Sequence, residues 1–116
     1  MGLVETSENA KNLILQTHYY KATYEQIKNL YLEIVEGLKH KIISVNDDFG
    51  EICSELPHMS VVAKIINLGD PLETSIDFYI DSEYLVASNK KATKFIDIVL
   101  KKIEEKYPFK GVSLHQ

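Results

Sequence analysis

Arginine and tryptophan are absent from this chain, and only one cysteine occurs among its 116 residues. Arginine carries the planar guanidinium that binds phosphates, carboxylates and guanine edges at two points at once. Its absence argues against base-specific nucleic-acid recognition and against buried two-point anion sites. Because Lys, Ile, Asn and Tyr are all frequent, the missing arginine also fits the codon usage of an AT-rich genome.

The single cysteine, Cys53, excludes a disulfide bond within the chain. A free thiol suits a reducing compartment better than a secreted one, so a cytoplasmic location is predicted. No run of residues approaches the roughly 20 apolar positions of a membrane-spanning helix. The first residues also lack the basic start and apolar run of a secretory signal. We therefore expect no membrane contact.

Glycine and proline are also scarce, with five and three copies, and they form no linker. The chain has no internal repeat. Its 45% hydrophobic and 26% charged residues are typical of a globular domain. A single domain over residues 1–116 is predicted, in which residues 1–22 are a candidate for a separate or partly ordered helix.

The N-terminal part of the chain has helical periodicity. From residue 7 to residue 42, apolar or aromatic side chains recur at alternating steps of three and four, which predicts a long helix. Thr23 followed by Gln26 resembles a capping box, so the alternative is a short helix, a break near Ala22 and a second helix over residues 24–41. Both interpretations place a helix after Thr23.

A second amphipathic helix is predicted over residues 89–107, where apolar side chains line one side and Lys and Glu the other. Asn89 is a suitable N-cap, and Pro108 with Gly111 ends the helix. The tail from residue 111 onward is expected either to add a short edge strand or to fray.

The middle of the chain changes to strand periodicity. Residues 60–68 and 73–81 are rich in β-branched and aromatic side chains and flank a turn at residues 69–72, which predicts an antiparallel hairpin. The register follows if Leu68 pairs with Glu73. The opposed pairs are then Ile65–Ile76 and Ala63–Phe78 on the buried face, and Lys64–Asp77 and Val62–Tyr79 on the other face.

Two further segments complete the predicted sheet. Residues 83–87 are a candidate third strand, and residues 48–56 form either a short capped helix that ends at Pro57 or an edge strand. The predicted fold is α+β. It is a two-layer sandwich in which a long N-terminal helix and the C-terminal helix pack on one face of a mainly antiparallel sheet of three or four strands.

Motifs for metal binding or catalysis are weak. The four histidines are spread along the chain without ligand spacing, so no metal and no cofactor are predicted. Cys53 with His58 resembles a nucleophile and its base, but the acidic neighbours of the cysteine disfavour a thiolate. The Asn-Asp-Asp run at residues 46–48 is predicted to form a turn with Asx hydrogen bonds, because the later ligands of a calcium loop do not follow.

The outer face of the predicted hairpin is a candidate for partner binding. Lys64, Asp77, Tyr79 and Asp81 all alternate outward along its strands. Paired carboxylates also serve as general acid and base in enzymes, but strand alternation alone produces such a row. We expect a solvated face or, if a partner covers it, the binding surface.

A second candidate surface is the tyrosine-rich N-terminal segment, with Tyr20, Tyr24 and Tyr31 at helical spacing. Tyrosine is amphipathic and enriched at interfaces, so these side chains are candidates for contacting another protein or subunit. The alternative is that they lie at the edge of the core with their hydroxyls in water.

Charge is unevenly distributed along the chain. Residues 1–88 carry six Lys and 14 acidic residues, a net −8, whereas residues 89–110 carry seven Lys and three acidic residues, a net +4. The lysines of the second predicted helix resemble a phosphate-binding face, but the total of −4 and the missing arginine argue against nucleic acid as a partner.

Taken with the missing motifs, these features predict a non-catalytic protein–protein interaction module, such as an immunity or inhibitor protein, a chaperone or a regulatory subunit. Its partner is expected to be another protein or a second copy of itself. One alternative is a small-ligand binder or enzyme that uses the exposed sheet face. The second alternative is nucleic-acid binding through the Lys-rich helix.

Overall fold

The computed structural model describes residues 2–10, 15–67, 69, 72–82 and 88–114, and these ranges contain two helices and seven strands. The strands are β1 (Gly2–Glu5), β2 (His18–Tyr20), β3 (Lys41–Asn46), β4 (Glu51–Leu56), β5 (Met59–Asn67), β6 (Thr74–Ser82) and β7 (Phe109–Val112). The helices are α1 (Tyr24–Gly37) and α2 (Ser88–Glu104). The predicted α+β class is confirmed, whereas the predicted count of three or four strands is wrong.

The strands form one antiparallel sheet in the order β3-β4-β5-β6-β2-β7, with β1 also paired to β6. Strands β3 to β6 form a meander, in which each strand pairs with the next one along the chain. The far edge of β6 is shared, because β2 pairs with residues 74–76 and β1 pairs with residues 79–82. A break between β1 and β2 therefore lies beside Asp77 and Phe78.

The central hairpin, β5 and β6, has the predicted register. Side chains on one face are buried, whereas most of those on the other are half-buried or exposed, as alternation requires. Leu68, which the prediction paired with Glu73, lies outside the described residues. The confirmed pairs are Ile65–Ile76, Ala63–Phe78, Lys64–Asp77 and Val62–Tyr79.

One hydrophobic core joins both helices to one face of the sheet. Each fully buried aliphatic or aromatic side chain there stabilises the fold by about 1.5–3 kcal/mol. From the helices, the core contains Ile27, Tyr31, Ile34 and Val35 of α1 and Ala92, Phe95, Ile96, Val99, Leu100 and Ile103 of α2. From the sheet it contains Val4, Tyr20, Ile52, Val61, Ala63, Ile65, Ile76, Phe78 and Ile80.

The predicted helix before Thr23 is wrong in the residues that the structure describes. His18–Tyr20 form β2, which pairs with β6 on one side and β7 on the other. Aromatic residues three or four apart imitate a helix, but aromatic residues also favour strands when a sheet edge is available to pair with. The capping box is confirmed: Thr23 Oγ1 accepts from Gln26 N, Gln26 Oε1 accepts from Thr23 N, and α1 begins at Tyr24.

Helix α1 ends earlier than predicted, in a Schellman motif. The amide of Lys39 donates to Glu36 O at 3.0 Å, and the amide of His40 donates to Val35 O at 2.9 Å. Lys39 occupies the left-handed position of this motif with φ of 68°, where glycine is usual. The turn ends the helix at Gly37 and leads into β3, whose first two residues the helical pattern had included in the helix.

The remaining predictions have mixed outcomes. Residues 48–56 contain β4, so the predicted strand is confirmed and the short helix is wrong. Its predicted edge position is also wrong, because β4 pairs with β3 on one side and β5 on the other. The Asx turn is confirmed, because Asn46 Oδ1 accepts from the amides of Asp48 and Phe49 at 3.0 and 3.3 Å.

At the C-terminal end, α2 begins at Ser88, so Asn89 lies inside its first turn and is not the cap. The tail adds the short edge strand β7, as one alternative had predicted. The candidate strand at residues 83–87 lies outside the described residues.

Candidate functional site

The face of the sheet that points away from the core is open over residues 3–5, 41–46, 51–55, 60–64 and 77–81, and we call this part the open face. Tyr19 and Ser75 point to the same side of the sheet but are buried. The strand registers show which side chains lie on the open face, because directly opposed residues share a face. They form three rows across the strands: Asn46, Glu51, Lys64 and Asp77; Ser44, Cys53, Val62, Tyr79 and Glu5; and Lys41, Glu55, Ser60, Asp81 and Leu3.

The middle of the open face is apolar and its flanks are charged. Tyr79 is 47% exposed and Leu3 is 55% exposed, and Val62 is half-buried opposite Tyr79 on the neighbouring strand β5. The three rows contain five carboxylates and two lysines, so the open face is acidic. Lys64 lies opposite Glu51 on one side and Asp77 on the other, yet its ammonium forms no ion pair with a described residue.

Asp77 is fixed at the break between β1 and β2. Its Oδ1 atom accepts hydrogen bonds from Thr6 Oγ1 at 2.6 Å and from Thr17 Oγ1 at 2.8 Å. Thr6 also continues the sheet, because its Oγ1 accepts from the amide of Phe78 at 2.7 Å and its amide donates to Phe78 O at 2.9 Å. Thr6 therefore continues the pairing along β6 past the end of β1, and both threonines hold one carboxylate oxygen of Asp77.

The environment of Asp77 disfavours its charged form. Burial raises the pKa of this carboxyl above its ordinary value, and the hydrogen bonds from Thr6 and Thr17 oppose that shift only in part. The other oxygen, Oδ2, accepts no hydrogen bond from the described residues. Asp77 is thus a carboxylate with one oxygen held by the fold and the other available to a partner.

A cavity of about 550 Å³ opens beside Asp77 on this face. The turn after β1 forms its rim, where Glu8 accepts a hydrogen bond from the hydroxyl of buried Tyr19. The cavity has the volume of a small-molecule site. Its lining comes from the open face and this rim: Glu5, Thr6, Ser7, Glu8, Thr17, Glu51, Cys53, Val62, Lys64, Asp77, Phe78 and Tyr79.

The structure brings part of the sequence-predicted surface together. Lys64, Asp77 and Tyr79 line the same cavity, and Asp81 lies on the same face one row away. Asp81 lines a smaller cavity of about 180 Å³ with His58 and Ser60. These four residues therefore share one continuous surface.

The three tyrosines predicted on one helix lie apart. Tyr20, on β2, and Tyr31, on α1, are fully buried in the core, so neither lies on a surface that a partner reaches in this structure. The Tyr20 hydroxyl lies 3.3 Å from Glu104 Oε2, and burial followed by that nearby charge raises the pKa of Tyr20. Their burial accounts for the amphipathic spacing that suggested a contact surface.

Tyr24 instead ties α1 to the β3–β4 turn. Its hydroxyl donates to Asp47 Oδ1 at 2.8 Å, and Lys28 Nζ lies 2.8 Å from the same oxygen. Burial and the bond to Asp47 raise the pKa of Tyr24 to about 12. The hydrogen bonds from Lys28 and Tyr24 lower the pKa of Asp47. This tyrosine thus has a structural role in the described fold.

Cys53 and His58 line different cavities, so the structure does not bring them together as a nucleophile and base. Among the described residues, no group of three His, Cys, Asp or Glu side chains is placed to hold a metal ion. Within the same ranges, neither helix combines the length and apolar character needed to cross a membrane.

The lysines of α2 lie on the other layer of the molecule. Lys90, Lys91, Lys94 and Lys102 are exposed there, and Lys101 forms an ion pair with Asp97 at 3.0 Å within the helix. The acidic open face and the lysine-bearing helix therefore point in opposite directions.

Comparisons with protein-family models and with curated proteins find no match to this chain. Its function is therefore inferred from the geometry and chemistry of the open face.

Sequence reasoning missed the residues that complete the open face. Strand alternation in β4 places Glu51, Cys53 and Glu55 together, and this pattern was readable once the segment was taken as a strand. Thr6 and Thr17 had no local signal, because their shared contact with Asp77 joins positions more than 50 residues away along the chain.

Proposed function

We propose that this chain is a non-catalytic protein-binding module that binds its partner through the open face. The observation that carries the proposal is the apolar row of that face. Val62, Tyr79 and neighbouring Leu3 remain accessible on a sheet whose other face packs against the core along β4, β5 and β6. An apolar centre with a charged rim is the usual composition of a protein interface.

The polar groups of the open face support binding more than catalysis. A nucleophile needs a base within hydrogen-bond reach. The hydrogen bonds to Asp77 come from two threonines, and Lys64 forms no ion pair with a described residue. The positions of these side chains are thus set by the pairing of the strands, and the side chains are suited to contacting a complementary surface.

A second copy of the chain is a poorer partner than a different protein. If the lysines of α2 bound the open face of another copy, the bound copy would still present its own open face on its far side. Such head-to-tail contacts generate rings or open-ended filaments, and they do not form a two-fold dimer. We therefore propose a heterologous partner and, from the single free thiol, a cytoplasmic site of action.

A small-molecule ligand is the second candidate. The cavity of about 550 Å³ beside Asp77 favours it, since ligand sites of this volume combine an apolar lining with a few polar groups. Native mass spectrometry of the purified protein separates the two candidates. A tightly retained metabolite would favour the ligand site, whereas an unliganded mass favours the protein interface.

The protein interface is tested by capture from a lysate of the source organism with identification by mass spectrometry. We expect one protein to be retained by the wild-type chain and lost with Tyr79→Glu, which puts a charge in the apolar row. Leu72→Glu is the matched control, because Leu72 is similarly exposed at 44% but lies in the β5–β6 turn. Equal retention by both variants would contradict the proposal.

A further inference from the structure

We propose that the occupant of the open face is a basic amphipathic helix of the partner, lying across the strands along the apolar middle row. This inference rests on the proposed function and adds the chemistry and secondary structure of the bound segment. It follows from the charge of the face, the spacing of its rows and the position of its apolar side chains.

Charge complementarity defines the flanks of the occupant. Glu51 and Asp77 lie on one side of the middle row, with Lys64 between them. Glu55 and Asp81 lie on the other side, in the row that begins with Lys41, so each row has two carboxylates and one lysine. Glu5 lies at the end of the middle row, on β1. Carboxylates on both sides attract a segment with Lys or Arg on both edges and repel an acidic one.

The dimensions of the face fit a helix. The two charged rows are four residues apart along each strand, which corresponds to about 13 Å at 3.2–3.4 Å per residue. An α-helix with its side chains is about 10–12 Å across. From β4 to β1 the middle row crosses three strand spacings, about 14 Å, or roughly ten helical residues.

An extended segment matches this pattern less well. A strand presents a single row of side chains to a surface, because alternate residues point to opposite sides. A helix presents an apolar stripe with flanking side chains on both sides of it. Only a helix therefore places apolar side chains on the middle row and basic side chains on the charged rows at both sides of it.

Helix α2 of a second copy does not supply this stripe. Its apolar residues, among them Ile96, Val99 and Ile103, are buried in its own core. The side that α2 exposes carries lysines. Among its described side chains, no apolar stripe lies between these lysines that could pack against Val62 and Tyr79. The occupant is therefore a helix from a different protein.

The test uses two synthetic 18-residue peptides with the same leucine stripe, flanked by Lys in one and by Glu in the other. Fluorescence anisotropy should show the Lys peptide binding at least tenfold more tightly than the Glu peptide at about 50 mM salt. The difference should shrink at about 500 mM salt, where exposed charges are screened.

Charge-neutral variants then locate the contact. Glu55→Gln with Asp81→Asn should weaken binding of the Lys peptide by about threefold to tenfold, since exposed ion pairs contribute modestly. The matched control is Glu33→Gln with Glu105→Gln on the exposed side of the helical layer, which should leave binding unchanged. Equal binding of the two peptides, or an equal loss with the control variant, would overturn the inference.

The experiments distinguish the helical occupant from the binding function of the open face. If neither peptide binds while Tyr79→Glu still abolishes capture of the native partner, the helical occupant is wrong and the binding function of the open face stands. If Tyr79→Glu leaves capture intact, the binding function itself is wrong.

Discussion

Asp77 is the residue on the open face whose chemistry is most strongly set by the fold. Two threonine hydroxyls hold Oδ1, yet burial still raises the pKa of the carboxyl. A charge in such a place opposes folding at neutral pH, because the folded environment favours the neutral form. Residues that lower stability in this way are typical of functional sites.

Asp77→Asn is therefore expected to leave the free energy of unfolding at pH 7 unchanged or to raise it, because the amide oxygen still accepts from both threonines. The pH dependence of this difference in the free energy of unfolding follows from the raised pKa of Asp77. As the pH falls through that pKa toward 3.8, the wild-type carboxyl takes up its proton and any gain of the variant disappears. Urea unfolding at pH 7 and pH 4 measures both.

Asp81→Asn is the control, since Asp81 is exposed on the same strand. Its effect should stay within about 0.5 kcal/mol at both pH values, as for most surface changes. A loss of more than about 1 kcal/mol for Asp77→Asn at pH 7 would show that the charged carboxylate is structural.

At this scale the sequence predicted four residues of the open face, because alternation along β5 and β6 alone assigns Lys64, Asp77, Tyr79 and Asp81 to one side. It did not predict the threonine pair that fixes Asp77. That contact depends on where the N-terminal segment pairs with β6, which no local pattern encodes.

At the scale of elements, the end of α1 decides where β3 begins. Lys39 adopts the left-handed conformation at φ of 68° although it carries a Cβ atom. For residues other than glycine this conformation costs about 1–2 kcal/mol. The hydrogen bonds of the Schellman motif, from Lys39 and His40 to the last turn of α1, offset this cost.

Lys39→Gly should raise the free energy of unfolding by about 0.5–1 kcal/mol, because the relief of strain exceeds the backbone entropy that glycine adds to the unfolded chain. Thermal or urea unfolding measures the change. Glu33→Gly, at an exposed position inside α1, should lower stability by about 1 kcal/mol. A lower stability for Lys39→Gly would contradict the assigned turn.

Elements with a local signature were predictable. The capping box at Thr23 fixed the start of α1, and the β5–β6 hairpin had strand periodicity on both sides of a turn. Strands β1 and β2 are four and three residues long, too short for a period to be distinguished from a helix. They are strands because the free edge of β6 pairs with them.

At the scale of the whole molecule, the two layers differ in chemistry. The helical layer exposes the lysines of α2, and the open face carries five carboxylates around an apolar row. The sequence revealed a change of charge sign along the chain near residue 89. Only the sheet order shows that the lysines of α2 and the carboxylates of the open face point in opposite directions.

The central claim is that a partner covers the open face and leaves the helical layer free. Methyl NMR of the chain, recorded before and after addition of the captured partner, tests it most directly. We expect the methyl signals of Leu3 and Val62 to shift or broaden, whereas those of Leu30 and Ile98 on the helices stay unchanged. Shifts confined to Leu30 and Ile98 would contradict the claim.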